Sequence, residues 1–390
     1  MVQIKFSEDF NEQPASIKII GLGGAGGNAV NRMIEAGLSH VEFITANTDS
    51  QALRRNKAPV RLQLGERITK GLGVGGNPVL GRQATEESRD RLLEIMTGAD
   101  MVFITAGMGG GTGTGSAPVV AQIAKSLNPA PLVVGVVTRP FDFEGMVRKN
   151  QADQGIEELR NHVDTMLAIP NDRLFEIIDE NTTSIEAFRV ADNVLRQAVQ
   201  AITDVITRHG LINVDFADVR SIMSGAGEAL MGMGEARGAG RALDAAKTAI
   251  QSPLLENVTI DGAKGLLVNI SGNKSITLFE VKTAMDFIKN AASSDAHVFY
   301  GQVFDDGLED RFMVTVIATG FPPARREATR LSRIAPAAVG TGAGLRRFVR
   351  EGELSLSGHA TALRAPVEMP VGDDDLRRPA YLRRKARKLG

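Results

Sequence analysis

Between Ile17 and Pro170 the chain alternates short, nearly unbroken apolar runs with longer stretches whose apolar residues return every three or four positions. Six of the runs read as strands: IKIIG (17 to 21), VEFITA (41 to 46), VRLQL (60 to 64), MVFITA (101 to 106), LVVGVVT (132 to 138) and TMLAIP (165 to 170). Strands that are apolar on both faces need cover on both. Helices between them therefore predict an α/β class domain with a doubly wound parallel sheet. Ligands of such sheets bind outside the carboxyl ends of the strands. The unusual segments fall there: GLGGAGGN, ANTD, GLGVGGNP (71 to 78), GMGGGTGTG, RPFDFEG and ND.

From Ser184 to Arg208, Phe188, Ala191, Leu195, Ala198, Ile202 and Val205 keep a three-and-four spacing, and Val190, Val194, Val199 and Ile206 widen the stripe. This predicts a long helix buried between two domains and stopped at Gly210. Residues 211–321 mix helical patterns (RALDAAKTAIQ, LFEVKTAMDFIKNAA) with strands (GLLVNIS, HVFYGQVF, RFMVTVIATG), the last two joined by a DDG turn, and predict a smaller α+β domain. After Phe321 no period is sustained and Ala, Gly, Pro and Arg dominate. Such a segment buries too little apolar surface to order itself. The expected organisation is a flexible N-terminal segment (1–16), a nucleotide-binding domain (17–183), a central helix (184–210), the α+β domain (211–321), a disordered linker (322–372) and a docking peptide (373–390).

At 390 residues the chain exceeds what one core usually holds. No apolar run is long enough for a membrane helix, and the acidic start MVQIKFSEDF is no secretory signal, so a cytoplasmic protein is expected. Cysteine is absent and the five histidines are scattered, so neither a disulfide nor a thiolate or zinc site is expected. The net charge of −1 hides an asymmetry: residues 325 to 390 carry fifteen Lys/Arg against seven Asp/Glu, leaving the body acidic. With Phe348 and Tyr381 as the tail's only aromatics, nucleic-acid binding is not expected.

GMGGGTGTGSAP (107 to 118) is the most demanding stretch. Ordering so many glycines calls for close backbone approach, and a glycine loop between a strand and a helix whose first turn holds Pro118 directs free amides at one anion. A tight turn alone needs one or two glycines; Gly109 to Gly115 holds five in seven positions. Gly21, Gly23 and Gly26 form GxGxxG with Asp49 further on, which leaves a dinucleotide-binding oxidoreductase open. Against it stand a second glycine cradle in the same sheet and the lack of residues suited to hydride chemistry. GxxxxGK[ST] is absent, so phosphate charge must be met by backbone amides, helix dipoles and a magnesium ion. Phe188 and Asp192, at i and i+4, put an aromatic plate and a carboxylate on one helical face. A core phenylalanine beside a surface acid is the plain alternative, as a surface ion pair is for Glu144 and Arg148, and as a helix cap with an N3 acid is for Asp215 and Asp218.

GGGTGTG at 109 to 115 is similar to the tubulin signature, and GLGGAGGNAVNRM, NTD, PFDFEG, IPND, EAFRVADNVLRQ and NVDFADVRSIM follow the order of the FtsZ family of bacterial tubulin-like cell-division GTPases, from about Ile17 to Phe321. The resemblance implies GTP or GDP with Mg2+, held by Gly23, Gly24, Ala25, Gly26, Gly27, Asn28, Asn47, Thr48, Asp49, Gly75 within the stretch 71 to 77, Gly109, Gly110, Gly111, Thr112, Gly113 and Thr114. It further implies that Glu144 binds ribose with Arg148 beside it, that Asn171 and Asp192 read guanine, and that Phe188 stacks on the base. Guanine offers two donors where adenine offers a lone pair, so a carboxylate there rejects adenine. The matching acidic loop implies Asp215 and Asp218 as catalytic groups that enter the neighbouring subunit's pocket, polarise water and help place the cation. A head-to-tail homopolymer follows, with hydrolysis switched on by assembly. A tubulin-like scaffold without hydrolysis is the third reading, and the two aspartates argue against it. Residues 373–390 resemble the family's terminal peptide, which binds membrane-anchoring and regulatory division proteins and so ties the polymer indirectly to the membrane at mid-cell. Arg377 and Arg378 separate Leu376 from Pro379, a departure from the family's pattern.

Overall fold

Six parallel strands form where the apolar runs fall: β1 (Ile17–Leu22), β2 (Glu42–Asn47), β3 (Val60–Gln63), β4 (Met101–Gly107), β5 (Leu132–Arg139) and β6 (Thr165–Pro170). The computed structural model describes residues 14–179, 181–207, 214–255 and 260–321, all within one compact unit. The expected linker, the docking peptide and the helix stop at Gly210 lie outside the described residues. Four further strands, β7 (Gly227–Ala236), β8 (Gly265–Gly272), β9 (His297–Phe304) and β10 (Phe312–Thr319), extend the sheet in the order β3-β2-β1-β4-β5-β6-β7-β10-β8-β9. β7 continues β6 in parallel, with Thr165 opposite Gly227, while β10 runs antiparallel to both β7 and β8.

The helices are α1 (Gly23–Glu35), α2 (Ser50–Arg55), α3 (Glu66–Thr69), α4 (Pro78–Glu87), α5 (Arg89–Met96), α6 (Thr112–Lys125), α7 (Met146–Arg160), α8 (Ser184–Thr207), α9 (Phe216–Met223), α10 (Arg241–Ile250) and α11 (Leu278–Ala291). Alternation along β1 shows how the layers form. Ile17 and Ile19 join a core with Val30 of α1 and Leu195 of α8, whereas Ile20 and Leu22 face a second core with Val120 of α6 and Ile156 of α7. A third core lies between α10, α11 and the strands β8 and β10. No described helix is long and apolar enough to cross a membrane.

Four expectations need correction. No loop separates β1 from its helix, because α1 starts at Gly23 directly after the strand. Pro118 is not in a first turn: α6 already begins at Thr112, so the second half of the glycine stretch is itself helical, while Met108 to Gly111 turn between β4 and the helix. Glycine is needed inside this helix because other backbone passes close: a Cβ on Gly115 would lie 2.1 Å from the Pro78 carbonyl oxygen of α4. The DDG segment does not close a hairpin, since β9 pairs with β8 and β10 lies on the far side of β8. Finally, the glycine-rich β7 carries no strand signal, yet its glycines admit α10: a Cβ on Gly234 would sit 2.0 Å from the Ala245 carbonyl oxygen.

Candidate nucleotide site

β1 and β4 are neighbours in register, with Gly21 opposite Thr105 and Leu22 opposite Ala106, so the helices that follow them start side by side. The contact leaves no room for side chains, because a Cβ on Gly26 would lie 2.3 Å from the Thr105 carbonyl oxygen. Neither helix start is capped. Leu22 and Gly111 precede α1 and α6 without a side-chain hydrogen bond, and neither first turn holds an acid. Three other helices do carry side-chain caps: Asp49 accepts from Gln51 and Ala52, Asn77 from Val79 and Leu80, and Thr277 from Glu280. Two adjoining helix amino termini with free amides and no acid form a strong field for an anion.

Gly24 in the first turn of α1 and Gly110 just ahead of α6 lie open beside these helix starts. Neither has positive φ, and a Cβ built on either meets nothing within 4 Å, so no need of the fold explains the missing side chain. Gly75, with φ of +57°, likewise faces open space. By contrast Gly26, Gly111 and Gly113 are required by packing: their Cβ atoms would lie 2.3, 2.6 and 2.6 Å from neighbouring atoms. Gly23 adjoins Gly113, and Gly27 adjoins Thr45. Ala25 meets Gly107, and Asn28 is an exposed residue of α1. Thr48 and Thr112 join hydroxyls at 2.7 Å across the ends of β2 and α6, and Thr114 Oγ1 accepts from the Gly109 amide at 2.8 Å. Asn47 is buried and accepts from the Asp49 amide; the Asp49 carboxylate is occupied as the α2 cap.

At the end of β5, Glu144 accepts from the Phe141 amide at 3.0 Å and from Arg148 Nη1, so the ion pair expected from spacing forms. Asn171 follows β6 directly; it is 5% exposed and its Oδ1 has no hydrogen-bond partner among the described residues. Phe188 is 44% exposed and meets Phe141 edge-on, ring centres 5.4 Å apart. With Phe143 and Phe175 these rings line a cavity of about 300 Å³. One turn along α8, the Asp192 side chain is 14% exposed, and burial pushes its carboxyl up to about 6 against the pull of Arg32, 3.8 Å away on α1. The sequence did not single out Arg32, Phe141, Phe143 or Phe175. The phenylalanine spacing in PFDFEG was visible, but the α1–α8 contact that brings Arg32 in was not.

Asp215 and Asp218 stand elsewhere. Asp215 precedes α9 at the cap position but its side chain makes no cap bond, and Asp218 is in the first turn. The far end of α9 is tied to the amino-terminal edge of the parallel sheet: Thr165 Oγ1, on the first residue of β6, donates to the Met223 carbonyl, and Arg220 donates to Ala130 ahead of β5. The glycine-framed site is at the opposite edge. Asp192 to Thr207 alone spans about 22 Å of helix. No cluster of three metal-ligating side chains occurs among the described residues.

The sequence matches the model of the Tubulin/FtsZ family, GTPase domain, over residues 16–179 and that of the FtsZ family, C-terminal domain, over residues 227–322. Its structure is similar to an empty FtsZ dimer from M. jannaschii, with 43% identity and a TM-score of 0.76 over 80% of this chain and 89% of that one. A point mutant of FtsZ from M. jannaschii matches at 44% identity and TM-score 0.76, over 79% of this chain and 92% of that one. CetZ2 from Haloferax volcanii, solved as a GTPγS-bound protofilament, is similar in fold, with 20% identity and TM-score 0.68 over 82% of this chain and 97% of that one. Two family domains in order, and this identity across four-fifths of the chain, establish it as a member of the FtsZ family of tubulin-like GTPases, which bind and hydrolyse GTP.

Proposed function

We propose that this GTPase is the filament subunit of the cell-division ring and that its hydrolytic site is divided between two subunits. The observation that supports this is the separation of parts: the uncapped starts of α1 and α6 lie at one edge of the sheet, while the helix that carries Asp215 and Asp218 is tied to the other. One chain cannot bring both to the same phosphate. A head-to-tail neighbour can, and such a contact repeats into a filament. The dimeric form of the similar M. jannaschii FtsZ structure supports self-association. Exposed Phe143, Met146 and Val147 beside the site supply an apolar rim that a neighbour would cover.

In this reading the amides at Gly24 and Gly110, with the two helix dipoles, hold the phosphates. Thr48 and Thr112 add hydroxyls, Glu144 takes the ribose, Phe188 stacks on guanine, and Asn171 and Asp192 meet its edge. The unpartnered Asn171 Oδ1 fits a base donor. Bound Mg2+ supplies charge to the phosphate oxygens when present. The partner's equivalents of Asp215 and Asp218 orient water for in-line attack on the γ-phosphorus; the bond to the β-phosphate oxygen breaks, and GDP and inorganic phosphate leave. Positioning is the main demand of phosphoryl transfer, and two carboxylates one turn apart meet it. Residues 373–390 dock membrane-anchoring and regulatory division proteins and hold the filament at the inner membrane face at mid-cell. Sedimentation with GTP, GDP and ATP alongside phosphate release tests this: pelleting and hydrolysis with GTP alone are expected, and hydrolysis by permanently dispersed subunits refutes it.

A further inference from the structure

Arg32 and Asp192 form an unusual pair. The Arg32 Nε to Asp192 Oδ2 distance is 3.8 Å, inside ion-pair range but too long for a hydrogen bond. Arg32 Nη1 lies equally far, 3.8 Å, from Glu35, which is itself bonded to Lys57 at 2.9 Å. Arg32 Nε is buried and bonds to nothing among the described residues. A guanidinium is thus held near a mostly buried carboxylate without occupying either of its oxygens.

That geometry has a chemical use. An ionised carboxyl offers two acceptors and suits the paired N–H groups of guanine. A protonated one offers a donor and an acceptor, the pattern that suits adenine, with its ring lone pair and amino group. Burial favours the protonated form, and a nearby cation opposes it. Charged groups on the elements packed along α8 include Arg32 and Glu35 on α1, Arg139 on β5, Asp172, Arg173 and Glu176 after β6, and His297 on β9, with Arg189 and Arg196 on α8 itself. Among the described residues Arg32 supplies the one charge that pulls against burial at Asp192. We infer that Arg32 is a specificity-determining positioning residue: it keeps Asp192 ionised at neutral pH from a distance that leaves both carboxylate oxygens open to guanine. This rests on the reading that Asp192 meets the base, and it adds how the carboxyl is kept in the form that discriminates.

The test is equilibrium binding of fluorescent GDP and ADP to nucleotide-free protein, at concentrations below assembly, from pH 5 to pH 8. In the wild-type protein GDP affinity holds above the Asp192 value of about 6 and weakens as pH falls through it, approaching a tenfold loss per pH unit. In Arg32→Met the carboxyl titrates higher, so the weakening begins at a higher pH than in the wild type and the GDP-to-ADP preference at pH 7 narrows. Arg32→Gln, which keeps a polar end and most of the stem, shifts the same way, and Arg32→Lys restores the wild-type profile. Lost packing alone would weaken binding evenly at every pH. Profiles of the Met and Gln variants that overlay the wild type, while Asp192→Asn loses guanine preference, overturn the Arg32 role and leave the base reading standing. An Asp192→Asn protein with unchanged preference overturns the base reading itself.

Discussion

Thr165, the first residue of β6, donates its hydroxyl to the carbonyl of Met223, the last residue of the helix that Asp215 begins. This bond and that of Thr319 to the Ile222 carbonyl at 3.0 Å moor α9 at the edge of the sheet opposite the glycine-framed site. Asp215→Ala and Asp218→Ala are therefore expected to keep GTP binding while hydrolysis falls at least ~100-fold, as when a group acting only in the transition state is removed. Mixing Asp215→Ala, whose pocket is intact, with Gly24→Val, whose acids are intact, should regain phosphate release. Mixed samples no faster than the two variants measured apart would argue against a shared site.

A site completed by a second molecule also ties rate to concentration. Phosphate release per molecule should be near zero in dilute solution and rise above a threshold as filaments form. A specific rate that stays flat across a hundredfold dilution series, measured beside light scattering, would contradict this.

Glycines that look alike in the sequence should behave oppositely. Gly24→Ala and Gly110→Ala place a methyl in open space, so melting temperature should hold or, for Gly24 in α1, rise by up to ~1 kcal/mol of stability. GDP affinity should fall at least tenfold in both, about 1.4 kcal/mol. Gly26→Ala, with its Cβ 2.3 Å from the Thr105 carbonyl oxygen, should instead lose roughly 1–3 kcal/mol of stability from overpacking. Thermal melts with GDP titrations separate the classes, and wild-type affinity in both Gly24→Ala and Gly110→Ala would count against phosphate lying there.

Phe188→Ala removes a half-exposed ring that packs edge-on against Phe141. The loss in stability should be small, while loss of base stacking should weaken GDP by about 1–3 kcal/mol. Calorimetry on the variant checks this; affinity within twofold of wild type would place the base elsewhere.

The acid pair of α9 illustrates why the site was only partly legible in the sequence. Residue types and order carried the glycine cradles, Phe188 with Asp192, and the aspartates at 215 and 218, but not the edge of the sheet on which each would lie. Phe188 and Asp192 could be joined because helical spacing is local. Arg32 could not, since its nearness to Asp192 spans 160 residues and exists only once α1 packs on α8.

What the chain's own pattern settled is the run of β1 to β6, the long α8 and the parallel doubly wound class, because two-sided apolar strands admit few other arrangements. Tertiary structure alone decided that β7 is a strand, that β10 lies between β7 and β8, and which glycines are open and which are packed. A glycine's sequence position says nothing of what its absent side chain would meet. That depends on backbone brought from tens of residues away, as Pro78 is to Gly115.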